Sequence, residues 1–286
     1  MARAVVLTCG TGSPAPYDLF AALSRRGEQL TIYDDATYAD AMGALRANPA
    51  DYLLLDAAAL GAAEAAALPR LPTVSYRTVC ALDGELLRYD LNLVLISRVL
   101  QPAADRFDDS FRFVGRCVDD PPDEASWREL GPDPLIYIAP PPMAAGRDRF
   151  LRACTGAFGG LPFEVVVDEE GSRGASLLDH ATLALSAADA GTVEECACGG
   201  VPHLMYPGSA EGRMLAARVQ ELGAGLVLAD ADLTGGRVRE LAGHVMADPA
   251  YCRAAEALRQ SMNRGGAAAA CEEILAFVAG IRTQLH

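Results

Sequence analysis

Short apolar runs that alternate with helical stretches are the feature that most narrows what this chain can fold into. Val5-Val6-Leu7-Thr8, Leu30-Thr31-Ile32-Tyr33, Tyr52-Leu53-Leu54-Leu55 and Thr73-Val74-Ser75-Tyr76 each read as a strand. Between them, Asp18 to about Arg26, Thr37–Arg46 and the Ala-rich Leu60–Leu68 read as helices. A run that is apolar throughout, such as Tyr52–Leu55, has no polar side to turn to water and fits a parallel strand covered on both faces. Parallel neighbours need crossover connections, and the intervening helices supply them. Leu91–Ile96 and Phe111–Val114 continue the series.

An acidic, Pro-rich stretch, Asp119-Asp120-Pro121-Pro122-Asp123-Glu124, then interrupts the pattern, and Gly131-Pro132-Asp133-Pro134 closes it. A second alternation follows: strand Leu135–Ile138, helix Asp148–Phe158, strands Phe163–Val167 and Leu183–Ser186, helix 190–198, strand His203–Met205, helix Ser209–Leu222 and strand Gly225–Leu228. From Thr234 onward three helical segments are expected, divided near Pro249 and near Gly265-Gly266. The fold class expected is α/β, with two Rossmann-like domains facing a cleft. Residues 1–118 form a reduced N-terminal domain, 119–134 a linker and 135–286 a C-terminal domain whose final helix, from about Ala267, returns to the first.

Composition excludes several functions. The chain has 286 residues, and its 24 basic and 38 acidic residues give a net charge of −14. Every basic residue is Arg; without Lys there is no Schiff-base chemistry and no Walker-type phosphate lysine. The acidic balance disfavours nucleic acid and anionic membrane as partners. The start, Met1-Ala2-Arg3, leads into an apolar run too short for a signal peptide, and no stretch is long enough to span a bilayer. The eight cysteines are scattered, with no zinc spacing, and read as reduced thiols of a cytoplasmic protein. No cofactor and no metal are expected.

Three segments carry a family resemblance. Leu91–Cys117, "LNLVLISRVLQPAADRFDDSFRFVGRC", resembles the interdomain stretch of macrolide-type bacterial glycosyltransferases. Gly191–Gly225, "GTVEECACGGVPHLMYPGSAEGRMLAARVQELGAG", resembles their donor-binding half, and "ADPAYCRAAEALRQSMNRGGAAAACEEILAFV" their closing helices. The resemblance implies the GT-B architecture and transfer of sugars from nucleotide diphosphate donors to natural-product aglycones. It also implies a catalytic His in the loop after the first strand. Here that loop is Cys9-Gly10-Thr11-Gly12-Ser13-Pro14-Ala15-Pro16, and the four histidines are His180, His203, His244 and His286. The family's phosphate-lining Ser-x-Gly-Thr reads Ala139-Pro140-Pro141-Pro142 here, which offers neither hydroxyl nor N–H at its prolines. Its His-Gly-Gly becomes Ala187-Ala188-Asp189, and its sugar-reading Asp-Gln becomes Glu211-Gly212. The nucleobase segment has no counterpart: the only Trp is Trp127, in the linker. Glu195 remains where the family places a carboxylate on the ribose. The N-terminal half is also short, since only 14 residues part Tyr76 from Leu91.

Candidate sites follow from both readings. Asp34, Asp189 and Glu195 are candidate acids or bases. Gly10, Gly12, Ser13, Asp56, Pro141, Ser186, Thr192 and Glu211 are candidate ligand-binding positions. Asp34, Asp35 and Asp56 close N-terminal strands, where open sheets place ligands, with helix capping as the plainer role. His180 and His203 read as capping or packing residues, and Asp168-Glu169-Glu170 as a solvated loop. Ser186-x-x-Asp189 resembles a capping box with Ser186 as N-cap, so that a carboxylate of the chain occupies the field that holds phosphate in the family. The function expected is that of a diverged glycosyltransferase-like protein of specialised-metabolite biosynthesis. It binds or acts on a natural-product scaffold in the cleft and has lost nucleotide-sugar transfer. Two alternatives stand beside this: a non-catalytic protein partner or homo-oligomer, and an active transferase with an unusual donor site.

Overall fold

The computed structural model describes residues 2–9, 16–34, 37–60, 63–64, 67–68, 71–78, 80, 87–117, 131–141, 146–169, 177–263 and 265–284. The chain divides into two compact units. The first comprises Met1–Arg98, Ala103–Asp119 and Asn263–His286, and the second Val99–Pro102 and Asp120–Met262.

The first unit holds six strands: β1 (Arg3–Leu7), β2 (Gln29–Tyr33), β3 (Tyr52–Asp56), β4 (Thr73–Arg77), β5 (Leu91–Val94) and β6 (Phe111–Phe113). They form one parallel sheet in the order β2-β1-β3-β4-β5-β6. Every residue of β3 is buried, as its unbroken apolar run requires. Helix α1 (Tyr17–Arg25) covers one face with Leu19, Phe20 and Leu23, and helix α2 (Tyr38–Ala47) places Ala41 and Ala44 on the other. Thr37 starts α2 through a capping box with Asp40, and the two side chains exchange hydrogen bonds with each other's backbone N–H. Of the helix expected over Leu60–Leu68, four positions lie outside the described residues.

The second unit contains β7 (Leu135–Ala139), helix α3 (Arg147–Phe158), β8 (Glu164–Val167), β9 (Ala181–Ser186), α4 (Ala190–Gly199), β10 (His203–Met205), α5 (Ala210–Glu221) and β11 (Gly225–Val227). Helices α6 (Gly235–Ala247) and α7 (Pro249–Ser261) complete it. Its five strands are parallel in the order β11-β10-β9-β7-β8. Phe150, Ala153 and Ala157 of α3 and Val238 and Ala242 of α6 fill one face, while Cys196 of α4 packs with Leu135 and Tyr137 on the other.

The final helix α8 (Gly266–Gln284) lies in the first unit, where Ala270, Cys271 and Ile274 join α1 over the sheet. Its first residue has to be glycine. Gly266 has φ +52°, its N–H donates to the Val114 carbonyl at 2.8 Å, and a Cβ there would meet the Arg116 carbonyl oxygen at 2.7 Å. All eight cysteines are free thiols. Among the described residues no helix is long and apolar enough to cross a membrane.

Candidate functional sites at the strand ends

In an open parallel sheet, ligands collect beyond the carboxyl ends of the strands, where loops and helix N-termini converge. Each sheet ends on a sequence-derived candidate: Asp56 closes β3 in the first and Ser186 closes β9 in the second.

In the second unit, Ser186 ends β9 and is fully buried. Its Oγ accepts the Ala188 N–H at 2.9 Å and lies 2.7 Å from Nε2 of His203 on the neighbouring β10. Burial pulls the His203 pKa down to about 3, so the imidazole is neutral and belongs to the core. Ala188 then adopts φ +58° in a wholly buried position, turning the chain sharply into α4. This corrects the expected capping box. Ser186 cannot be the N-cap, because its hydroxyl is engaged by His203 and Ala188 while it is still within the strand. The N-cap is Asp189 itself, whose Oδ1 accepts the Thr192 N–H at 2.9 Å. Thr192 is buried. The carboxylate at the positive end of α4 therefore comes from the chain's own capping residue.

Glu211, in the first turn of α5, is held above the usual carboxylate range, first by burial and then by the negative charge of Asp189. Gly212 donates its N–H to the capping Ser209 Oγ at 2.9 Å. A Cβ on Gly212 would lie 3.2 Å from the Ala188 carbonyl oxygen and 3.3 Å from that of Ala187. The loop after β9 thus rests closely on the start of α5. Pro141, after β7, is buried, and its carbonyl accepts from Arg147 Nη1 at 2.6 Å. Arg147 Nη2 also meets Glu169 at 2.9 Å. Asp168 is not part of a solvated loop. It is 3% exposed and accepts the Tyr137 hydroxyl at 2.9 Å, because its N–H pairs with the Ile138 carbonyl and holds it against the sheet. Glu195 is half-buried on α4, and His180 is exposed in a 3-10 turn.

In the first unit, consecutive strands of the sheet each end on a polar group. Asp34 follows β2, Thr8 and Cys9 follow β1, Asp56 ends β3 and Tyr76 lies near the end of β4. Asp34 Oδ1 accepts from Thr8 Oγ1 at 2.8 Å and from the Tyr17 hydroxyl at 3.1 Å. Asp34 caps no helix, since Thr37 caps α2. Asp56, 7% exposed, closes a tight turn by accepting the Ala58 N–H at 2.8 Å, and burial raises its pKa. Tyr76 is 2% exposed, and its hydroxyl has no hydrogen-bond partner among the described residues. Burial raises its pKa, and the charges of Asp56, Tyr17, Asp34 and Cys9 raise it further. Sequence analysis reads Tyr76 only as a strand residue and does not single out its buried hydroxyl. The available signal was a phenol among apolar residues, in register with Asp56. Gly10, Gly12, Ser13 and Asp35 lie outside the described residues. Among those described, no group of three His, Cys, Asp or Glu could hold a metal ion.

Comparison with known proteins agrees with this architecture. Residues 174–275 match the family model of the erythromycin biosynthesis protein CIII-like C-terminal domain. The oleandomycin glycosyltransferase of Streptomyces antibioticus is 28% identical over 197 residues, which is 61% of this chain and 46% of that protein. The demethyllactenocin mycarosyltransferase of Streptomyces fradiae is 25% identical over 203 residues, 64% of this chain and 44% of that one. This chain spans about half the length of these curated relatives. Among solved structures, the calicheamicin glycosyltransferase CalG4 superposes with a TM-score of 0.81 at 21% identity, covering 98% of this chain and 99% of that one. Residues 174–275 are therefore similar to the EryCIII-like C-terminal domain, the chain is similar in sequence to macrolide glycosyltransferases, and it has the α/β architecture of two parallel sheets found in GT-B glycosyltransferases.

Proposed function

We propose that this protein is a diverged member of that glycosyltransferase-like group which no longer takes sugar from a nucleotide diphosphate donor, and which binds or acts on a natural-product scaffold. The observation that carries the reading is the Asp189 cap. At the helix N-terminus where the resemblance places a donor diphosphate, Asp189 Oδ1 already accepts the Thr192 N–H at 2.9 Å. A diphosphate brought there meets a fixed negative charge, at a cost of about 1–4 kcal/mol per facing charge at ~4 Å. Glu211 adds a second carboxylate close enough to feel the first. Pro141 has no N–H to offer a phosphate, and its carbonyl accepts from Arg147.

Calorimetry with UDP and TDP is the direct test. The wild-type protein should bind neither in the low micromolar range, which corresponds to about −8 kcal/mol. Asp189→Gly should lose a little stability with its cap and gain measurable affinity for TDP or pyrophosphate. Low-micromolar binding by the wild-type chain overturns the reading; a folded Asp189→Gly variant that still ignores both anions overturns the blocking role of Asp189 and leaves the loss to the absent His and Pro141.

A further inference from the structure

We propose that the outer edge of β2 is an interface at which two copies of this chain pair, antiparallel, into one continuous sheet. β2 ends the six-stranded sheet, and among the described strands only β1 pairs with it. The Gln29 N–H donates to the Ala2 carbonyl at 2.9 Å, and the Tyr33 carbonyl accepts the Thr8 N–H at 3.0 Å. Gln29, Thr31 and Tyr33 therefore turn their backbone to β1, and Leu30 and Ile32 turn theirs outward. No hydrogen bond among the described residues reaches the backbone of either. Sheets blunt such edges with short strands, charges, proline or bulges. β6 and β11 have three residues each, with Arg112 at the centre of β6, and β8 opens on Glu164. β2 has five residues, Gln-Leu-Thr-Ile-Tyr, and none of these devices.

Apolar exposure and charge both name a second copy as the occupant. Three large apolar side chains are exposed among the described residues, and two of them, Tyr17 at 56% and Ile32 at 39%, belong to this edge. Leu30 packs against the α1 side of the sheet and Ile32 shares that face. The Tyr17 hydroxyl, on α1, meets Asp34 at 3.1 Å, just past the end of β2. Charge sets the direction of pairing. The chain enters β2 from Arg25 and Arg26 and leaves it at Asp34; all three are exposed, and Arg26 pairs with Glu272 of α8. Antiparallel pairing sets the basic entry of each strand beside the acidic exit of the other, whereas parallel pairing sets like charges side by side. A two-fold axis then closes the pair with the same patch used twice. With Leu30 on that axis, each Leu30 N–H faces the partner's Leu30 carbonyl and each Ile32 N–H faces the partner's Glu28 carbonyl. Moving the axis to Thr31 puts Glu28 opposite the partner's Asp34, which like charge disfavours.

One strand pair buries less than the ~1,200 Å² of a standard interface, so the dimer should be weak. In sedimentation velocity at about 1 to 500 μM, the full chain should rise from its 30.0 kDa toward twice that mass, with a midpoint of about 10–100 μM. Amide exchange followed by NMR should slow at Leu30 and Ile32 as concentration rises, while Thr31 and Tyr33 are protected by β1 throughout. Ile32→Lys should weaken the dimer at least about tenfold, because it places a charge on the outward-facing residue. Leu161→Lys adds the same charge at the third exposed apolar residue and should leave the dimer unchanged. A chain that stays monomeric over the whole range overturns the proposal. So does a dimer that responds alike to both lysines, or one in which Leu30 and Ile32 exchange as fast as in the monomer. Should Ile32→Lys fail to fold, the exchange pattern of the wild-type chain decides alone. None of these outcomes bears on nucleotide binding, so the donor-site reading stands or falls separately.

Discussion

Ser186 and His203 show how one hydrogen bond can tie two strands together and make them sensitive to acid. His203 is fully buried and titrates at about 3 in the fold, against about 6.5 in an unfolded chain. Between these values the unfolded state binds more protons, so stability is complete above pH 6.5 and falls as pH drops toward 3. The loss reaches roughly 4–5 kcal/mol at the low end, at 1.36 kcal/mol per unit. Thermal unfolding from pH 7 to pH 4 should therefore fall more steeply in wild type than in His203→Gln, which cannot charge. Ala188 invites a second test nearby. Its left-handed backbone tolerates a methyl but not a branched side chain, and Ala188→Val should cost about 2–3 kcal/mol in denaturant unfolding. The sequence showed Ser186, His203 and Asp189 to be interesting, yet it assigned the cap to the wrong residue. A capping box is recognised by spacing alone, and the left-handed Ala188 that displaces the helix start has no signature of its own.

At the scale of elements, the reading of strands was nearly complete, because period and length separate buried parallel strands from amphipathic helices. Thr37, Ser209 and Asp248 mark helix starts as their side chains suggest. What was not legible is side-chain pairing across distant strands. Asp168 reads as one of three acids in a loop, and only the β7–β8 ladder shows that Tyr137 holds it inside. Helix α8 is the element whose packing is most open to test. Ile274 is fully buried between α8 and the first sheet. Ile274→Ala should destabilise the first unit by about 2–5 kcal/mol and leave the second unit's unfolding unchanged, as hydrogen exchange would resolve.

For the whole molecule, a net charge of −14 means that folding gathers like charges. Raising the salt concentration from 10 to 150 mM shortens the screening length from about 30 Å to about 8 Å, and the melting temperature should rise. The same charge should keep the protein off heparin and anionic vesicles at either salt concentration. The first unit is also discontinuous: its sheet is complete by Phe113, but the helix that shares one face with α1 comes from residues 266–284. On the ribosome, at about 5–20 residues per second, the sheet waits roughly ten to thirty seconds for that helix. The second unit, drawn almost wholly from residues 120–262, can close during that interval. The half of the protein made first is thus the half finished last, and until then the part of its apolar face that α1 leaves bare is what a nascent-chain chaperone would meet.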